Sequence, residues 1–219
     1  QIPEFLPTLA DNPAEFARLA NLRRINAGGN PNFTDAEISA LERDGGTNYQ
    51  KEIFRTGISN NLQISASGSE GNLKYFVSGS YRDQEGIVIT TGYKQLQLRS
   101  NLEANINENL TVGLNLYANR GQRQNDFSFA GNGQGSLVAK ALTWDPTTPI
   151  FDANGNYNLR SIKGIASLND NVVRTLNESD ARLIDERLSS ALNVNWKISE
   201  DFTYTLTAGT QLNNFNSQI

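Results

Sequence analysis

From Ser59 to the end of the chain, apolar and polar residues trade places at almost every step. A two-residue period puts successive side chains on opposite faces of an extended backbone, so it specifies β-strand wherever it holds. Leu62, Ile64 and Ala66 alternate with Gln63, Ser65 and Ser67. After a turn at Ser69-Glu70-Gly71-Asn72, Leu73, Tyr75, Val77, Gly79 and Tyr81 alternate with Lys74, Phe76, Ser78, Ser80 and Arg82, Phe76 being the misfit. A third run sets Leu96, Leu98, Leu102, Ala104 and Ile106 against Gln95, Gln97, Arg99, Asn101, Glu103 and Asn105. The fourth sets Leu110, Val112, Leu114, Leu116 and Ala118 against Thr111, Gly113, Asn115, Tyr117 and Asn119. Leu188, Leu192, Val194, Trp196 and Ile198 form one face of a fifth run, opposed to Arg187, Ser189, Asn193, Asn195 and Lys197. Phe202, Tyr204, Leu206, Ala208 and Leu212 close the series against Thr203, Thr205, Thr207, Gly209, Gln211 and Asn213.

Alternation alone also fits a soluble β-sandwich. Three further features separate the two. The runs reach about ten residues or more, the length a tilted strand needs to cross a bilayer, against roughly 5–6 in ordinary sheets. The connections alternate in length: 69–72, 107–109 and 199–201 are tight, while 83–92 is longer and 121–185 very long. Membrane barrels pair short periplasmic turns with long extracellular loops. Aromatic residues gather near strand ends, with Tyr75, Trp196, Phe202 and Tyr204 by tight turns and Tyr81, Tyr93 and Tyr117 by long loops, as two interfacial girdles require. The fold expected is all-β: a fragment of a transmembrane antiparallel β-barrel. Its opposite face carries Gln, Asn, Arg and Glu, which suits a wet or plug-filled interior, because a dry core would leave their hydrogen bonds unmet. Six strands fall short of the roughly eight that close the smallest such barrels, so the remaining barrel strands must come from elsewhere.

Composition agrees. Only 37% of the residues are hydrophobic and mean hydropathy is −0.48. No apolar run approaches the roughly 18 residues of a membrane helix, whereas a strand that shows lipid only at alternate positions dilutes its own signal. The net charge of −4 and the scattered basic residues exclude the electrostatic footprint of a nucleic-acid binder. With neither Cys nor His, disulfides, thiolate metal sites and the commonest general base are excluded. The chain also lacks Met and opens Gln1-Ile2-Pro3, so it is expected to be a processed product or an internal fragment.

Residues 1–57 differ in character and read as a connecting segment, with 58–219 as the partial barrel. Asn12-Pro13 followed by Glu15 starts a helix, along which Phe16, Leu19, Leu22 and Ile25 recur before Gly28-Gly29 ends it. Thr34-x-x-Glu37 is a capping box with Phe33 and Ile38 as its staple, and Asp44-Gly45-Gly46 stops this second helix.

Three stretches carry a resemblance. They are Tyr49-Gln50-Lys51-Glu52-Ile53-Phe54-Arg55-Thr56, then Asn61-Leu62-Gln63-Ile64-Ser65-Ala66-Ser67-Gly68, then Tyr75-Phe76-Val77-Ser78-Gly79-Ser80-Tyr81-Arg82-Asp83-Gln84-Glu85-Gly86-Ile87. Together they resemble the early barrel segment of SusC/RagA-type TonB-dependent outer-membrane transporters of Bacteroidetes. The helix-forming Leu137–Leu142 stretch and the run Pro146–Tyr157 resemble that family's first large extracellular loop. Tyr49 stands where the family usually has Trp, and Lys51 where it has Asp. The resemblance implies import of glycan or peptide oligomers through a plugged barrel energised by TonB, under a SusD-like surface lipoprotein. It implies outer-membrane lipid around the barrel and no enzymatic activity. The plug, the TonB box and the closing strand lie outside these residues. The alternative role for such a barrel is a structural scaffold in a larger outer-membrane complex, and a third class is a secreted β-sandwich hydrolase or lectin.

Within the chain, no catalytic, cofactor or metal site is expected. Gly131-Asn132-Gly133-Gln134-Gly135-Ser136 lacks the Lys of a phosphate loop and reads as a flexible helix cap. Asp152-Ala153-Asn154-Gly155-Asn156 places its Gly too early for a calcium loop and reads as a turn. Asp83 and Glu85 read as structural residues of a strand-end turn. Phe127, Phe129, Trp144 and Tyr157 of the long loop are the candidate contacts to substrate or lid, set against a plain packing role inside that loop.

Overall fold

The computed structural model describes residues 12–125, 137–165 and 171–218. Six antiparallel strands form one sheet in chain order: β1 Ser59–Glu70, β2 Leu73–Glu85, β3 Gly92–Asn107, β4 Leu110–Gln124, β5 Arg182–Lys197 and β6 Thr203–Gln218. Every neighbour in sequence is a neighbour in space, as in an up-and-down barrel wall, and the sheet is not closed. The connections 71–72, 108–109 and 198–202 lie at one end, and 86–91 and 125–181 at the other.

Register assigns the two faces. Leu98 pairs with Ala118, Ala118 with Leu188 and Leu188 with Leu212. The parallel row Leu102, Leu114, Leu192 and Ala208 repeats the pattern. These apolar side chains stand open, Ile64 at 71% exposure and Leu212 at 62%. A water-soluble protein rarely shows an apolar face this continuous, whereas hydrocarbon solvates it at no cost. The apolar stretch begins at Leu62, Tyr81 and Leu96 on β1–β3 but at Ala118, Leu188 and Leu212 on β4–β6. Leu96 lies opposite Arg120, so the band steps along the register as tilted strands require. At the tight-turn end Trp196 and Tyr204 sit side by side.

The strands run 12 to 16 residues and extend beyond the alternation seen in sequence. Lys94, Arg120, Gln122 and Glu186 occupy outward positions past the apolar band, so both faces turn polar there while backbone pairing continues. For the same reason Asp83 and Glu85 belong to β2 itself and not to a turn after it.

Among the described residues, a second compact unit gathers 12–56, 86–90, 137–165 and 171–179, segments distant in sequence that connect along the chain to the strand ends carrying the long connections. It holds α1 Pro13–Asn26, α2 Asp35–Asp44, α3 Tyr49–Ile53, α4 Leu137–Thr143 and α5 Val172–Glu178. The Asn12 side chain caps α1 through the Glu15 amide, and Thr34 with Glu37 completes the capping box of α2. On α1 the buried face is Pro13, Ala14, Ala17 and Ala20, which lets Phe33 and Ile38 approach closely; Leu19, Leu22 and Ile25 remain exposed.

Candidate functional site

Among the described residues, two surfaces have the chemistry to meet a ligand or partner. One is the polar inner wall of the sheet and the other is the compact helical unit.

Along the wall, side chains bond across strands. Lys74 donates to Glu103 at 3.0 Å, Gln95 to Asn119 at 2.8 Å and Asn119 to Asp185 at 3.2 Å. Arg187 donates to Asn213 at 3.2 Å, while Thr205 and Thr207 donate to Asn195 and Asn193, each at 3.0 Å. Arg99 lies over the Tyr117 ring and Arg123 over Tyr93. Such a wall presents an ordered array of donors and acceptors to the sheet's polar face, the chemistry that hydrogen-bonds hydrated matter. A Cβ at Gly121 would lie 2.5 Å from Asp185 Oδ1, so the glycine makes room for that carboxylate.

The helical unit is organised by its own core. Tyr49 and Ile53 of α3 pack with Leu137, Ala141, Trp144, Val172, Val173 and Leu176. The Tyr49 ring meets Trp144 edge to face at 5.9 Å, and its hydroxyl donates to the Thr148 carbonyl at 3.1 Å. Burial pushes the Tyr49 phenol up to about 12. Two of the stretches that carried the family resemblance turn out to be partners. The Arg55 amide donates to Ile87 O at 2.8 Å, and Ile89 N donates to Ile53 O at 2.9 Å. The Arg55 side chain reaches Gly86 O at 3.1 Å.

Asp145 is a buried carboxylate held by neutral donors alone among those the structure gives it. Its Oδ1 accepts from the amide and hydroxyl of Thr147, at 2.8 and 2.6 Å, and its Oδ2 from the hydroxyls of Thr148 and Ser161. Ser161 in turn accepts from the Ile165 amide, which ties both ends of the 145–165 stretch to one carboxylate. The Gln50 side chain is wholly enclosed and its amide has no hydrogen-bond partner among the described residues.

Of the four candidate contacts, Phe127 and Phe129 lie outside the described residues, as does the Gly131–Ser136 stretch. Trp144 is 3% exposed and belongs to the core. Tyr157 is half-buried against the same core, its ring 4.7 Å from that of the exposed Phe151, and its hydroxyl accepts from Asn177 at 3.2 Å. Asp152 accepts from the amides of Asn154 and Asn156, both at 2.8 Å, and these bonds, the Asn156 amide first, hold its carboxyl below the usual range. Among the described residues there is no group of three potential metal ligands. Asp83 lies 3.7 Å from Lys94, and Glu85 accepts from the Ile58 amide at 3.4 Å. Sequence reasoning missed α3 and α5; Asn48 and Asn171, each capping its helix, were the available signals.

No family model matches the chain. TonB-dependent receptor P3 of Formosa agariphila is 30% identical over 159 residues, covering 71% of this chain and 15% of that protein. TonB-dependent receptor SusC of Bacteroides thetaiotaomicron is 31% identical over 120 residues, covering 51% of this chain and 11% of SusC. The chain is homologous to TonB-dependent receptors, SusC among them. It spans about 15% of the length of the curated relatives that it matches over most of its own length. The RagAB peptide importer in its "open-open" state superposes on 92% of the SusC-like segment, with a TM-score of 0.67 and 21% identity, over 25% of the solved chain. The "closed-closed" state gives a TM-score of 0.63 over 78% of the segment and 19% of the solved chain, at 23% identity. The architecture is therefore that of a SusC-like barrel wall, and relatives of this kind are transporters and not enzymes.

Proposed function

We propose that the full-length protein imports glycan or peptide oligomers across the outer membrane, with this segment forming part of its barrel wall and the base of its outer face. A plug and TonB coupling would come from the rest of the polypeptide, and a SusD-like lipoprotein would sit on the outer side. One observation carries the reading: the described residues before β1, between β2 and β3 and between β4 and β5 fold into a single compact unit, and all three stretches connect along the chain to the long-connection end of the strands. A barrel needs no such unit to hold itself closed, and long structured loops on a transport barrel are where binding surfaces are built. The polar inner wall supports passage of hydrated matter, as its Asn, Thr, Gln and Arg side chains are already arranged for exchangeable hydrogen bonds. Tyr157, stacked on exposed Phe151, together with Phe127 and Phe129, is the proposed contact to substrate or lid, with Trp144 supporting that surface from the core.

Protease added to intact cells tests the side assignment. Cleavage within 125–181 is expected once the lipoprotein lid is deleted, with the strands protected. Complete resistance without the lid, alongside cleavage in opened cells, would place the unit on the periplasmic side.

A further inference from the structure

The outward face of the sheet ends, at the long-connection end, on a row whose charges are ordered. Moving from β2 to β5, the first outward residue beyond the apolar band is Asp83, then Lys94, then Arg120, then Glu186. Each cation has an acidic neighbour on its outer side, Lys94 to Asp83 at 3.7 Å and Arg120 to Glu186 at 3.6 Å. The two cations stand next to each other in the middle: Lys94 lies opposite Gln122 and Arg120 opposite Leu96, which makes them diagonal neighbours on adjacent strands.

Diagonal positions of an antiparallel pair are about 7 Å apart, close enough for two long side chains to hold one small anion between them. Both ion pairs are long and their side chains largely exposed, 59% for Lys94 and 60% for Arg120, so neither pair consumes its cation. Directly below lie Leu96, Leu98, Ala118 and Leu188, the part of the face that hydrocarbon must cover. The distribution is one-sided: among the described strand residues, outward-facing Lys and Arg occur only at this end, as Lys94, Arg120 and Arg182, and Arg182 is held by both oxygens of Asp180.

We infer that Lys94 and Arg120 form a binding site for the phosphate of an outer-leaflet glycolipid whose acyl chains run down over Leu96, Leu98 and Ala118. The phosphate sits between the ammonium and the guanidinium, each of which turns inward from its long ion pair, leaving Asp83 and Glu186 on the far sides. The inference rests on the side assignment made above for the long connections.

Full-length protein in detergent, titrated with lipid A and read by native mass spectrometry, tests it. The intact protein should retain lipid A, and retention should fall about tenfold or more in the double variant K94Q/R120Q, since each basic residue at a headgroup contributes roughly a factor of five. The conservative double variant K94R/R120K should restore it, and K74Q, on the inner wall, should leave it unchanged. Heat-modifiable gel mobility confirms that each variant is folded. Equal retention of dephosphorylated lipid A or of phosphatidylethanolamine would overturn the site, as would unchanged retention in K94Q/R120Q. Displacement of lipid A by millimolar inorganic phosphate alone would overturn the lipid as its occupant. Failure of the side assignment is separately visible in the protease experiment, which does not depend on these residues.

Discussion

Tyr49 and Trp144 meet edge to face with ring centroids 5.9 Å apart at 62°, joining the segment before β1 to the long connection between β4 and β5. Edge-to-face pairs of this kind add about 0.5–1.5 kcal/mol beyond their buried area. Here the pair also locks the geometry of α3, whose next residues lead into the Arg55–Ile87 bridge. Replacing Trp144 with Ala is expected to cost about 3–5 kcal/mol of local stability. Hydrogen exchange in the full-length protein should show lost protection in 137–144 and 172–176 together, with the strands unchanged.

Gly46 is a second junction. A Cβ there would lie 2.4 Å from the Pro146 carbonyl oxygen and 2.7 Å from Pro13 Cβ, and the next amide, Thr47, already donates to that carbonyl. Gly46→Ala must displace backbone and is expected to destabilise the unit by roughly 1–3 kcal/mol, as overpacking does. Gly45, with φ of +78°, ψ of −162° and open space around it, is the comparison: Gly45→Ala meets no neighbour but enters a backbone region essentially reserved for glycine, at a cost of roughly 1–3 kcal/mol from strain alone. Denaturant-dependent proteolysis of the unit should show both variants destabilised, and a Gly46→Ala variant as stable as the parent would contradict the close approach to Pro146.

Glu37 connects α2 to the long connection through Lys163, at 2.6 Å, and the same ammonium lies over the Phe33 ring. The Lys163 hydrogen bond, then the Thr34 amide and hydroxyl, lower the Glu37 pKa from 4.5 to about 2. A depressed carboxyl contributes stability that is present above its unfolded value and lost as pH falls through the folded one. The clasp should therefore persist at pH 5 and above and release between about pH 4.5 and 2. Glu37→Gln should abolish that part of the acid dependence; an unchanged acid profile of hydrogen exchange around 161–165 would refute it.

On the sheet, Leu116 faces outward and Asn115 inward. Leu116→Arg places a charge against hydrocarbon and is expected to cost about 2–4 kcal/mol of barrel stability, whereas Asn115→Arg should be tolerated in the wet interior. Urea unfolding of the full-length barrel in lipid vesicles reads both. Equal cost at the two positions would contradict the face assignment.

Strand count, order of connections and the facing of each side chain were legible in the chain from Leu62 and Ile64 through Leu206 and Leu212. A period of two has only one geometric solution, and hydrocarbon on one side with water on the other keeps it regular. Legibility failed at the strand ends. Around Lys94, Arg120 and Glu186 both faces are polar, so sequence sees a loop where the backbone still pairs. The first two helices could be read from Asn12 and the Thr34–Glu37 box because caps act over three residues. Which face of α1 is buried could not be. Leu19, Leu22 and Ile25 are the obvious core by hydrophobicity, but Ala14, Ala17 and Ala20 allow closer approach, and packing chose the alanines.

By itself, the sequence determined the sheet, because strand periodicity and turn length are local properties that no distant residue needs to correct. Tertiary structure alone decided the helical unit. Tyr49 and Trp144, Asp145 and Ser161, Arg55 and Ile87, and Glu37 and Lys163 are each separated by stretches of chain whose patterns say nothing of one another. Their pairing follows from shape and from hydrogen-bond satisfaction in a shared interior, which exist only once the segments have come together.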